Sequence, residues 1–246
     1  GDGTELVGKG QFRRLRGAEG YTSIESYPLM QDLDCGRDCH GPFYGFEHVE
    51  LARNHADEAH VGQHYAIWME ENGCHNWRDY FRPPTGNNSD QRHKWLIPEE
   101  YHYDKWIAER TNALIDGYAD DGESFFLWAS FFDPHPPYLV PEPWDTYYDP
   151  DDLTIPEMTP GEHDKNPPHF RMTQESRPDF SDWRESGQGI HGMSLPLIPP
   201  HRMRKNIATS QPMLTLTPHH IPAPLDRFLD CAPAAPPRPV FTSHPR

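Results

Sequence analysis

Cysteine, positive charge and long apolar runs are all scarce in this chain, and each shortage removes a class of function. Only Cys35, Cys39, Cys74 and Cys231 occur among 246 residues, too few for a disulfide scaffold, although a Cys35–Cys39 bridge is conceivable. Lys and Arg number 22 against 38 Asp and Glu, a formal net charge of -16. A nucleic-acid partner, which needs a basic face to displace counterions, is therefore excluded. The same field repels anionic ligands, so an anionic substrate must be held by a few placed cations. No apolar run approaches the roughly 18 residues of a membrane-spanning helix, so no membrane span is expected. No charged-then-apolar leader stands at the start. Because the chain begins at Gly1 rather than Met, periplasmic, secreted and cytoplasmic addresses all stay open.

Proline, by contrast, is abundant. The 28 prolines far exceed an average share of about 5%, and they are densest between Pro196 and Pro245. Sixteen histidines are also unusual. His48, His55, His60 and His64 stand beside a polar, acidic run, which predicts solvated or locally satisfied rings. The length suits one sizeable core.

Local patterns place several elements. Thr4 to Gly8 reads as a short strand ending in Gly8-Lys9-Gly10, a lysine in a tight loop. Residues Arg13 to Phe43 show no sustained period. From His60 to Asn72 the apolar positions Val61, Tyr65, Trp68 and Met69 predict a helix, with Gly73 as its stop. A second helix is expected to start at Pro98-Glu99-Glu100, where proline loses only an orphan N–H and the carboxylates suit the positive helix end. It ends at Asp120-Asp121-Gly122. The apolar run Phe125 to Phe132 then predicts a strand buried on both faces. That run stops at Asp133-Pro134-His135-Pro136-Pro137, a rigid loop presenting one imidazole. Glu142 to Pro168 reads as ordered surface chain. Near the end, Met213, Leu216, Ile221, Leu225 and Phe228 keep helical spacing, but Pro212, Pro218, Pro222 and Pro224 argue against a helix at about 3 kcal/mol each.

Helix, short turn, buried strand and loop in succession are the grammar of an α/β fold, whose sites lie at the carboxyl ends of strands. Lys9 and His135 each follow such a strand, and His244 follows Pro239-Val240-Phe241-Thr242-Ser243. If the three strands lie parallel in one sheet, a cation and two imidazoles converge on one edge. That set suits an anionic ester: fixed positive donors stabilise charge on the equatorial oxygens, and an imidazole can protonate the leaving oxygen. Taken singly, Lys9 reads as an exposed turn lysine. His135 reads equally as a site residue and as a surface histidine stiffened by proline.

Three blocks extend this reading. Thr4-x-Leu6-Val7-Gly8-Lys9-Gly10-x-Phe12, then Gly41 to Glu50, then Phe125 to Trp144 with its Asp-Pro-His-Pro-Pro-Tyr and Pro-Glu-Pro-Trp, resemble the middle of a type I sulfatase. The resemblance runs from Gly1 to Ala208 and weakly to the end. It implies an alkaline-phosphatase-like α/β fold, a central mixed sheet flanked by helices, incomplete through truncation at both ends. On this basis residues 1–208 form a partial catalytic domain. Residues 209–246 form a Pro-rich terminal segment continuing it in degenerate form.

The resemblance also implies chemistry. In that family a Cys or Ser in a Cys/Ser-x-Pro-x-Arg motif becomes a formylglycine nucleophile, and a divalent metal, usually calcium, polarises the sulfate. The lysine and histidine that hold sulfate oxygens and assist the leaving group carry over to Lys9 and His135. A third position, a family histidine, is Gln11 here, and glutamine cannot accept and return a proton near neutral pH. No segment satisfies the nucleophile motif. The family's Phe-Thr-Ser-Asp-His-Gly reads Phe241-Thr242-Ser243-His244-Pro245-Arg246, which retains His244 as a metal ligand without the aspartate. The implied function is hydrolysis of sulfate monoesters of small molecules or saccharides, with this chain itself silent. A phosphonate or phosphate monoester hydrolase of the same superfamily is the alternative. A different class is a zinc-binding structural module on Cys35, Cys39, His40, Cys74 and His75, whose spacing matches no strong signature.

Overall fold

The computed structural model describes residues 3–10, 12, 23–26, 28–53, 61–81, 94–135, 138–157, 159–177, 179, 198–230 and 238–242. Two compact units are present, one made of Gly1–Tyr147 with Ser210–Arg246 and the other of Tyr148–Thr209.

The first unit is organised by β1 (Gly3–Gly8). Its Leu6 and Val7 are both buried although they point to opposite faces, which marks a central strand. Strand β2 (His48–Leu51) and strand β3 (Phe125–Ser130) pair with it in parallel, in the order β2-β1-β3. Gly8 sits opposite Leu51 on one side and Ser130 on the other. The register thus brings all three carboxyl ends to one edge. The β2 strand lies beyond the aperiodic stretch from Arg13 to Phe43. Between β1 and β2 the chain forms the short α1 (Leu33–Arg37).

One sheet face is covered by α2 (Gln63–Glu71) and α3 (Tyr103–Asp121). Val7 joins Tyr65 and Met69 of α2 and Trp106 and Ile107 of α3 in the main apolar core. On the other face Leu6, Val49 and Leu51 pack with Ile24 and Phe46 in a smaller cluster.

Helix α2 matches its predicted stripe, and Gly73 follows it at φ 90. Helix α3 begins one turn later than Pro98 predicts. Glu99–Tyr101 makes only a single 3-10 turn, and His102, extended at ψ 141, becomes the N-cap through its ring Nδ1, which accepts the Asp104 N–H at 3.2 Å. Gly122, left-handed at φ 68, closes the helix as expected.

Three expectations are corrected. The β3 strand is not buried on both faces: Phe126 and Trp128 are 55% and 45% exposed. Their partners Thr4 and Leu6 lie on one side only, because β3 is an edge strand among the described residues. Residues 239–242 form no strand, and Val240 and Phe241 are exposed. The Pro-rich terminus is helical: α5 spans Pro200–His220 with Pro212 and Pro218 inside, and α6 spans Pro222–Asp230. Pro222 and Pro224 occupy the first turn of α6, where no hydrogen bond is lost. In α5 each internal proline costs about 3 kcal/mol. Met213 and Leu216 are fully buried, each recovering about 1.5–3 kcal/mol, and the Thr217 hydroxyl donates to Asp104 at 2.6 Å.

In the second unit, α4 (Pro168–Met172) follows a turn-rich stretch, and Phe170 packs against the His163 ring. A 3-10 turn at Pro150–Asp152 is capped by Asp149. This agrees with the expectation of ordered surface chain.

Candidate functional site

The carboxyl edge of the sheet gathers the ends of three strands. The backbone N–H of Lys9, one residue past β1, donates to Ser130 O at 3.2 Å, and the N–H of Ala52, one past β2, donates to Gly8 O at 3.0 Å. Gly8 makes this closeness possible: it adopts φ 103, and a Cβ there would lie 2.2 Å from Ser130 O. His135 ends a turn closed by its own N–H to Phe132 O at 3.0 Å. Lys9 and His135 therefore leave adjacent parallel strands at the same edge. Gln11 and His244 lie outside the described residues.

Behind His135 the loop is anchored by a buried polar network. Asp133 is shielded from solvent and accepts a hydrogen bond from the Tyr103 phenol at the start of α3. Its other oxygen lies 4.0 Å from His102 Nε2. Asp104 follows within the same turn and is tied to Thr217. Burial, then the charge of Asp104, pushes Asp133 well above the ordinary carboxylate range. Burial raises Asp104 to about 7 against the hydrogen bond from Thr217. Burial, then neighbouring His220, lowers His102 to about 3. Burial thus favours the uncharged forms of Asp133, Asp104 and His102. In sequence these supports are marked only by the place of Asp133 two residues before His135 and of Tyr103 next to Asp104.

In front of Lys9 lies a second buried pair. Glu25 accepts the N–H of Phe12 at 3.3 Å, and its Oε1 stands 3.2 Å from where a Cβ on Gly10 would be. Arg53, two residues past β2, approaches the same oxygen at 3.5 Å with 9% of its side chain exposed. Neither residue carries a motif in sequence.

Between β2 and α2, His40 stacks on His48 at 4.9 Å and meets His64 at 4.6 Å. His64 is buried and its Nδ1 accepts the Leu51 N–H at 2.8 Å. Burial, then His40, lowers it to about 4. His48 faces Glu50, which Arg110 engages at 2.7 Å. Burial alone would raise Glu50; hydrogen bonds from His48 and Arg110 outweigh it and hold the carboxylate at about 2. Of the two expected outcomes, solvation or local satisfaction, the second is met: His48 faces Glu50, two residues on, and His64 takes the Leu51 N–H. His55 and His60 lie outside the described residues.

Cys35, Cys39 and Cys74 are free thiols, so no Cys35–Cys39 bridge is formed. Burial raises both Cys39 and Cys74, leaving them as protonated thiols. Among the described residues no group of three or more His, Cys, Asp or Glu side chains is placed to hold a metal ion. The set Cys35, Cys39, His40, Cys74 and His75 is thus not gathered into a zinc site. The described residues do not fit a divalent-metal centre either. No described helix is long and apolar enough to cross a membrane.

No protein-family model matches the chain. It is 28% identical over 101 residues to the multifunctional alkaline phosphatase superfamily protein PehA of Trinickia caryophylli, a match covering 37% of this chain and 18% of that protein. The fold resembles the phosphonate monoester hydrolase SpPMH of Silicibacter pomeroyi at a TM-score of 0.53 and 16% identity, covering 92% of this chain and 42% of that one. The chain spans less than half the length of either protein. Its fold, a parallel sheet with helices packed upon it, matches part of the fold of that hydrolase.

Proposed function

We propose that the chain is part of a hydrolase of the alkaline phosphatase superfamily acting on a monoester of a tetrahedral oxyanion. Its first reading is a sulfate monoester of a small molecule or saccharide. One observation carries the reading: β1 and β3 are adjacent and parallel, so Lys9 and His135 leave the sheet at one edge. Lys9 supplies fixed positive charge to the equatorial oxygens, and His135 holds an oxygen and protonates the leaving group. Gln11 would donate a hydrogen bond to the same anion. A nucleophile derived from formylglycine and a calcium ion belong to the complete enzyme in this reading, with His244 as a metal ligand. No step is assigned to the metal here, because the described residues do not form its site.

A second reading, hydrolysis of a phosphonate monoester, is supported by the likeness in fold to the phosphonate monoester hydrolase SpPMH. Titration of the chain with 4-nitrophenyl sulfate and with phenyl phenylphosphonate, followed at the backbone amide resonances of positions 8–10 and 131–135, tests both. Perturbation by either ester, lost in Lys9→Gln and His135→Asn, supports the cradle, and silence towards both overturns it. Preference for the phosphonate displaces the sulfate reading.

A further inference from the structure

The three imidazoles between β2 and α2 lead to one hydrogen bond that requires an uncharged ring. Leu51 closes β2, and its N–H donates to Nδ1 of His64 at 2.8 Å. A ring nitrogen accepts only while it carries no proton, so the bond fixes the neutral tautomer with hydrogen on Nε2. A protonated ring would set its own Nδ1–H against the Leu51 N–H. Three further features oppose that charge. His64 is 4% exposed. It is the second residue of α2, whose positive end disfavours a cation. The His40 ring lies 4.6 Å away and stacks in turn on His48 at 4.9 Å, so a proton on His64 faces neighbours that carry charge when protonated themselves.

Every element packed on this ring contributes to its balance. Burial, then His40 from the segment before β2, disfavours the cation; Glu50 of β2 favours it, His48 of β2 opposes it, and the Cys39 backbone favours it. Arg110 of α3 engages Glu50 at 2.7 Å and so diverts much of that carboxylate's pull. The hydrogen bond to Glu50, and after burial the charge of Glu5 in β1, favour the cation on His48 instead. Glu71, at the far end of α2, is taken by Arg37 of α1 at 2.7 Å.

We propose that His64 is an acid-released latch: neutral, it clamps the amino end of α2 to the carboxyl end of β2, and protonation frees Leu51 from the helix. The latch goes beyond the oxyanion reading and does not depend on it. Its release reaches the sheet edge, because Leu51 is the register partner of Gly8 and the N–H of the next residue, Ala52, donates to Gly8 O at 3.0 Å. The sign follows from the ring itself. In an opened state it titrates near its ordinary 6.5 and in the closed state only at about 4, so opening takes up a proton and is favoured as pH falls between those values. Above that window the latch is at full strength.

The test is amide hydrogen exchange of the chain, expressed as protection factors to remove the intrinsic pH dependence, from about pH 7.5 to about pH 4.5. Leu51 is expected to lose protection by about tenfold or more, while Leu6 and Val7 of β1 change less than about twofold. His64→Asn supplies an amide oxygen in place of Nδ1 and does not titrate, so Leu51 should stay protected throughout. His64→Leu offers no acceptor and should leave Leu51 unprotected at both ends of the range. Constant protection of Leu51 in the parent overturns the proposal. So does an equal fall in His64→Asn, or a fall shared by β1, which is global acid unfolding. If the variants fail to fold, the parent decides: the nitrogen chemical shifts of the His64 ring should show Nδ1 unprotonated at neutral pH, and the Leu51 amide should titrate at the same midpoint as that ring. Separate midpoints, or a protonated Nδ1 at neutral pH, overturn it.

Discussion

The Tyr103 phenol donates to Asp133, and so ties the loop that carries His135 to the first turn of α3. Because Asp133 is shielded from water, its oxygen has no solvent to turn to if the donor is removed. Tyr103→Phe is expected to cost about 1–3 kcal/mol in urea unfolding. It should also speed amide exchange at Phe132 and His135 more than in β1. Uniform acceleration across the sheet would mean that the bond supports the whole core rather than the loop.

Asp104 sets a pH dependence of definite sign. Burial lifts its carboxyl from the ordinary aspartate range to about 7 on folding, so the native state keeps a proton that the unfolded chain releases. The stability associated with it is complete below pH 4 and is lost as pH rises through 7. His102 and His64, kept neutral by burial, act in the opposite sense. The difference between variants therefore isolates the carboxyl. Asp104→Asn should lose less stability than the parent between pH 4 and 7, measured by urea melts across that range. Parallel curves would show that Asp104 is charged throughout.

Gly8 is the hinge on which the edge depends. A side chain there would meet Ser130 O at 2.2 Å in a left-handed backbone. Gly8→Ala is expected to cost upwards of about 1–3 kcal/mol, and to shift the Lys9 amide resonance through its bond to Ser130. A melting temperature within about a degree of the parent's would refute the close approach.

Periodicity made the helices legible, and their ends follow the residues that cap them. Gly122 closes α3 where its conformational freedom predicts, whereas Pro98 misleads because His102 supplies a better cap one turn on. The burial of β3 was overread, since an aromatic run looks the same on an edge strand as on a central one; Phe126 and Trp128 show the difference only in three dimensions. Lys9 and His135 were legible because each ends a strand. That their strands, β1 and β3, are neighbours is a fact of topology absent from local pattern. Glu25 and Arg53 had no signal at all, since a buried pair separated by 28 positions looks like two surface charges.

The chain contains no Cys/Ser-x-Pro-x-Arg segment, and Gln11 stands where the sulfatase resemblance implies a histidine. Binding without turnover is the expected outcome. Assays with 4-nitrophenyl sulfate and phenyl phenylphosphonate, with and without calcium, should show no release of phenol above the buffer rate. Hydrolysis that disappears in His135→Ala would refute this and would require a nucleophile of another kind within these residues.

The terminal helix holds a last test, because α5 keeps its course through two prolines. Each removes one backbone donor, from the carbonyls of Ala208 and Leu214, and crowds the preceding turn. Packing at Met213 and Leu216 compensates, but that packing does not depend on proline. Pro218 is exposed, so Pro218→Ala loses little contact and regains a hydrogen bond. It is expected to stabilise the chain by up to about 3 kcal/mol. Pro212 is buried, so Pro212→Ala gains the same bond but gives up ring contacts, and the net gain should be smaller. Thermal melts of both variants check the order. If Pro218→Ala lowers the melting temperature, the helix does not continue past Thr217, and the bond from Thr217 to Asp104 would need another explanation.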